Sequence, residues 1–190
     1  MKKVTLTILV SLLAFTFSFS QKATTNESIR RIESLLTEYE SAGFSGTVLV
    51  ELEGKKVISR GYGFRNNELR EKNSPNTIFD IGSLTKQFTA SAILKLEMQG
   101  KLSTSDKITK YFNNVPLDKA SITIHDLLRH QSGLQSNVGG DYEPITESAF
   151  IDSVMKSNLL FEVGSEFSYA NIGYSLLALI IEKVSGQAYE

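Results

Sequence analysis

Residues Phe79-Asp-Ile-Gly-Ser-Leu-Thr-Lys86 run straight into Gln87-Phe-Thr-Ala-Ser-Ala-Ile-Leu-Lys-Leu-Glu-Met-Gln99, and Gly100 follows. Leu84, Phe88, Ala92, Ile93, Leu94, Leu96 and Met98 make this an apolar-rich helix over 84–99, with Gly100 as its stop. Ser83 and Lys86 stand at its start, one helical turn apart on one face. A serine hydroxyl is a poor nucleophile until a base takes its proton. Burial of the lysine against an apolar helix would favour its neutral amine, which could be that base. The first backbone N–H groups of the helix, with its positive dipole end, would suit a developing oxyanion.

Ser-x-x-Lys alone is a weak pattern. It recurs at Ser153-Val-Met-Lys156. There Phe150, Ile151, Val154 and Met155 mark the apolar face, so Ser153 and Lys156 should point to solvent. A second element is Tyr169-Ala-Asn171. A tyrosine facing a lysine can have its phenol acidified and can pass protons. An asparagine can donate to a substrate carbonyl and accept from an amide. The plain alternative is that Tyr169 packs under the last helix and Asn171 caps it. Tyr111-Phe-Asn113 repeats the Tyr-x-Asn spacing.

Working outward, Ile29, Ile32, Leu35, Leu36 and Tyr39 recur at helical spacing before Gly43. Thr47 to Leu52 and Val57 to Phe64 read as a hairpin around the turn Glu53-Gly54. Thr123-Ile-His-Asp126 resembles a capping box opening a short helix that Ser132-Gly133 ends. Residues 135–145 read as a mobile loop, and Thr146 to Ser157 as an amphipathic helix. Ile172 to Val184 is apolar nearly all round. Such a helix must be covered on most sides, and a lone hairpin is marginal in water. The expectation is therefore that chain beyond residue 190 covers this helix and completes the sheet. On that reading the sequence is a truncated product or fragment.

The 190 residues are 41% hydrophobic and 22% charged, which suits a folded domain rather than a disordered chain. The net charge of −1 gives no basic excess for a nucleic-acid partner. With no cysteine and two histidines, neither a thiolate nor a His-rich metal centre is expected. Residues 1–20 combine Lys2-Lys3, an uncharged apolar run and the small residues of Ser18-Phe-Ser20. This is the pattern of a signal peptide cleaved near Ser20, too short in its apolar run for a spanning helix. The expectation is a periplasmic or secreted protein of residues 21–190 with no stable membrane span.

Several stretches together resemble the N-terminal half of a penicillin-recognising serine hydrolase, the group of class C β-lactamases, DD-peptidases and related esterases. They are Phe44-Ser-Gly-Thr-Val-Leu-Val50, Gly61-Tyr-Gly63, Phe79 to Lys86, Leu127-Leu-Arg-His-Gln-Ser-Gly-Leu134 and Gly164 to Leu177. The resemblance implies that Ser83 is the acylated nucleophile and Lys86 its proton acceptor. It implies that Tyr169 is the proton shuttle and Asn171 the substrate-positioning amide, with no metal or organic cofactor. His130 and Ser132-Gly133 fall in a mostly structural stretch, and His130 reads as a satisfied turn histidine. Val163 and Ala170 depart from the Pro and Ser common in the group. The group's third motif, a Lys- or His-headed tripeptide with Gly on a later strand, has no counterpart in this sequence.

The implied fold is α+β, with helices packed on an antiparallel sheet and a mostly helical lobe. The N-terminal helix, the hairpin and the Ser83 helix would make one lobe, and residues 102–171 the other. The implied activity is hydrolysis of a small-molecule, peptide or ester substrate: a β-lactam, a D-Ala-D-Ala peptide or a simple ester. The alternative is a catalytically inactive relative or binding remnant that lacks the third motif.

Overall fold

The computed structural model describes residues 25–140 and 143–189. The proposed signal peptide lies outside them. The chain divides between Asp80 and Ile81 into two compact units.

The first unit opens with helix α1 (Thr25–Ser41). Strands β1 (Gly46–Leu52) and β2 (Lys55–Tyr62) form the antiparallel hairpin, pairing Gly46 with Tyr62 and Leu52 with Lys55. Glu53 and Gly54 both have positive φ, 51° and 73°, which suits the tight turn that the strand twist favours. Two short strands, β3 (Phe64–Asn66) and β4 (Glu71–Lys72), pair separately. Gly61 is required by a close approach. A Cβ there would stand 2.2 Å from the Asn73 carbonyl carbon. The Asn73 side chain reaches back to Tyr62 O at 2.8 Å and Ser45 Oγ at 2.9 Å.

The second unit is mostly helical. A 3-10 turn (Gly82–Leu84) leads into α2 (Thr85–Met98). Then come α3 (Ile124–Leu128), α4 (Glu147–Lys156) and α5 (Asn171–Ser185). The capping box at α3 is real: Thr123 Oγ1 accepts from Asp126 N, and Asp126 Oδ2 accepts from Thr123 N. Thr146 Oγ1 caps α4 with a single bond, accepting from Ala149 N. Gly186, with φ of 71°, ends α5.

The core of this unit joins Ile93 and Leu96 of α2, Ile124 and Leu127 of α3, Val154 of α4 and Leu176, Leu177 and Ile180 of α5. Two expectations are corrected by it. The last helix is already covered by described residues, because its apolar positions face α2 and α3. Exposed apolar side chains lie instead along α2 and the turn before it, at Leu84, Phe88, Leu94 and Met98. The Ser83 helix, moreover, groups with residues 102–171 and not with the hairpin. The reason is its inward stripe: Lys86, Thr89, Ile93 and Leu96 follow helical spacing, and the last three are buried within this second unit.

Among the described residues no helix is long and apolar enough to cross a membrane. Leu177→Ala should cost about 2–5 kcal/mol in urea unfolding, because it leaves a cavity where nothing is exposed. Leu94→Ala, half exposed on the same cluster of helices, should stay within about 0.5 kcal/mol.

Candidate active site

Four side chains from the starts of α2 and α5 converge. Lys86 Nζ donates to Ser83 Oγ at 3.1 Å and to Asn171 Oδ1 at 2.7 Å. Tyr169 OH donates to the same Ser83 Oγ at 2.6 Å. Lys86 Nζ also lies 4.8 Å from the centroid of the Tyr169 ring and 5.5 Å from that of Tyr174. Every residue singled out in the sequence as a candidate site member is thus present in one cluster.

Local structure explains the convergence. Ser83 sits in the 3-10 turn, exposed, one turn before Lys86. Thr85 Oγ1 donates to Gly82 O at 2.7 Å and pins that turn. Gly82 takes a positive φ of 49° to enter it. Lys86 is only partly buried, less than expected, and is held by its partners. Asn171 opens α5, and its backbone N–H donates to Ser136 O at 2.8 Å. Its side chain does not cap the helix; it reaches Lys86 instead.

One residue was missed. Asn137 Oδ1 accepts from Asn171 Nδ2 at 2.8 Å. That bond orients the amide so that its oxygen faces Lys86. Asn137 lies in the stretch read as a mobile loop, whose first residues are in fact tied to α5 through Ser136 and Asn137. No periodic signal marks it. The frame around this segment is glycine-dependent. Gly133 has a φ of 73°, and a Cβ on it would stand 2.4 Å from Phe161 O.

The electrostatics single out Tyr169. Lys86 beside it, and then the Ser83 hydroxyl bonded to it, hold its phenol below the ordinary tyrosine range. The competing tyrosine shows the opposite. Burial and a hydrogen bond to Asp106, 2.6 Å away, push Tyr111 well up. A phenol that ionises more easily can take and return a proton; one held protonated against a carboxylate cannot. The competing serine is equally plain. Ser153 Oγ donates to Ala149 O at 2.8 Å, and Lys156 is exposed beside Asp152.

A shallow cavity of about 420 Å³ opens beside the cluster, lined by Ser83, Lys86, Asn171, Tyr174, Ser175 and Ala178. A larger one, about 640 Å³, lies in the first unit and is lined by Arg65 and Ser74 among others. The smaller one is the candidate space, because Ser83, Lys86 and Asn171 line it. Among the described residues no group of His, Asp and Glu gathers in a way that could hold a metal ion.

Comparison with known proteins decides the lineage. The family described as Beta-lactamase matches residues 29–190. The chain belongs to the beta-lactamase family. Protein flp of Staphylococcus aureus is 31% identical over 175 residues, covering 87% of this chain and 35% of its own length. The putative penicillin-binding protein PbpX of Bacillus subtilis is 34% identical over 164 residues, covering 86% of this chain and 41% of its own. The crystal structure of FmtA from Staphylococcus aureus superposes with a TM-score of 0.72 at 31% identity, covering 82% of this chain and 44% of that one. A class C beta-lactamase solved in complex with cefoxitin gives a TM-score of 0.75 at 24% identity, which is likeness of fold. The chain therefore has the mixed helix-and-strand fold of the beta-lactamase family, and it spans under half the length of these relatives.

Removing the positive charge at Lys86 should return the phenol of Tyr169 toward its ordinary range. In a spectroscopic pH titration, Lys86→Met should therefore move the Tyr169 midpoint up toward about 10, while Tyr111 stays where it is.

Proposed function

We propose that this beta-lactamase-family chain carries the acylating half-site of a secreted serine hydrolase, with Ser83 as the nucleophile. The observation that carries the reading is that Ser83 Oγ receives hydrogen bonds from both Lys86 Nζ and Tyr169 OH. Two proton-handling groups on one hydroxyl are what nucleophilic catalysis requires. Family membership supports the same assignment.

In the proposed reaction, the Lys86 ammonium first gives up one proton to water, and its amine then takes the Ser83 proton with the freed lone pair, while one N–H still donates to Asn171 Oδ1. Ser83 Oγ bonds to the acyl carbonyl carbon. Tyr169 relays a proton from Lys86 to the leaving nitrogen or oxygen as its bond to the carbonyl breaks. Water then releases the acyl group from Ser83. The acyl donor is a β-lactam, a D-Ala-D-Ala peptide or an ester, and the scheme uses no cofactor. Asn171, held by Asn137 and Lys86, orients the donor's amide. The Lys2-Lys3 start and apolar run up to Ser20 support export to the periplasm or beyond.

Intact-mass measurement of the full chain after incubation with a fluorophosphonate, and separately with benzylpenicillin, tests this reading. One adduct per chain is expected, absent in Ser83→Ala. Lys86→Met should slow labelling by about a hundredfold or more, the usual loss when a general base is removed. An adduct that persists without release favours the alternative of binding without turnover. Equal labelling of wild type and Ser83→Ala overturns the proposal.

A further inference from the structure

His130 bonds to the backbone on both sides of Tyr169. Its backbone O accepts from Ser168 N at 2.9 Å, just before Tyr169. Its ring Nδ1 accepts from Ala170 N at 3.1 Å, just after it. Its ring packs against two tyrosines, with centroids 4.6 Å from Tyr169 and 5.2 Å from Tyr174, tilted by 33° and 32°. Phe167 meets it edge-on, at 5.8 Å. Tyr174 is itself anchored, donating to Leu128 O at 3.1 Å.

The backbone adds a second, independent observation. His130 has a φ of 56°, in the left-handed region that glycine enters most easily. Gly133, three residues on, fills such a position with no side chain. A side chain kept at a strained position points to work done by that side chain. Ala170 is almost fully buried, and its N–H needs an acceptor. The imidazole supplies one only while Nδ1 is unprotonated, so the ring proton must sit on Nε2.

We propose that neutral His130, with its proton on Nε2, is a positioning residue that sets Tyr169 and Asn171 against Ser83 and Lys86, and that protonating it disengages them. Protonation turns Nδ1 from acceptor into donor and sets it against the Ala170 N–H. The titratable groups facing the ring are Tyr169 and Tyr174, with Lys86 beyond their rings. Burial, and then the Lys86 charge, hold the imidazole below its ordinary value. The sign follows: the arrangement is complete above about pH 6.5 and is lost as pH falls through the lower folded-state midpoint. The function proposed for Ser83 gives this role its meaning.

The chain has two histidines, so both can be followed by nitrogen-15 NMR of the full chain, with His125→Gln assigning them. His130 should show the Nε2–H form and titrate below pH 6.5. Tyr169 ring resonances should follow that midpoint in wild type. In His130→Ala the Tyr169 phenol should titrate closer to pH 10. His130→Asn, whose Oδ1 can accept in place of Nδ1 and which tolerates positive φ, should restore the lowered Tyr169 midpoint. It should also abolish the response of Tyr169 between pH 5 and 7. An Nδ1–H tautomer, or a Tyr169 midpoint unchanged in His130→Ala, overturns the proposal. Neither readout needs an acylated serine, so the result separates the role of His130 from the function of Ser83.

Discussion

The bond from Lys86 Nζ to Asn171 Oδ1 joins the first turns of two helices that are 85 residues apart in the chain. A hydrogen bond to a charged group is worth about 1.5–3 kcal/mol, too little to hold two helices together. Burial does that. Ile93, Leu177 and Ile180 each contribute about 1.5–3 kcal/mol by leaving water. The polar bond selects one register among the packings the apolar residues would accept. In that register Ser83 Oγ falls within reach of both Lys86 and Tyr169. Everything chemical about the site depends on that register.

The supports of the site come from a segment with little regular structure. Residues 130–137 give Asn171 a side-chain acceptor at Asn137 and a backbone acceptor at Ser136. They also give Ala170 its acceptor at His130. Gly133 lets the chain lie against Phe161. The path of this segment is set by backbone hydrogen bonds such as Leu160 N to Gly133 O, 2.8 Å. Lys86 and Asn171 stand on helices, Ser83 and Tyr169 just before them, and the loop holds Asn171 and Ala170 in place.

Much of this was legible in the sequence because it rested on local signals. Ser83 and Lys86 announce themselves by spacing at a helix start, and the capping box at Thr123 by its residue types. Apolar periodicity also set Ser153 and Lys156 off the core-facing side, where Ser153 is half-buried and Lys156 exposed. Other features had no local signal. The buried face of α2 carries Thr89 beside Ile93 and Leu96, so hydrophobicity alone does not pick it out. Leu84, Phe88 and Met98 are apolar and exposed. The last helix seemed to lack cover because its neighbours, α2 and α3, are distant in sequence. Asn137 was passed over, and His130 was read only as a satisfied turn histidine, because their hydrogen bonds run to residues 34 and 40 positions away.

The central claim is that Ser83 is set apart from the other serines by its neighbours. Peptide mapping of the full chain after brief fluorophosphonate treatment reads this directly, because Ser153 lies in the same chain with the same lysine spacing. Label confined to the peptide that carries Ser83 is the expected result. Label on Ser153 to the same extent as Ser83 would contradict it, since exposure alone would then explain the reactivity.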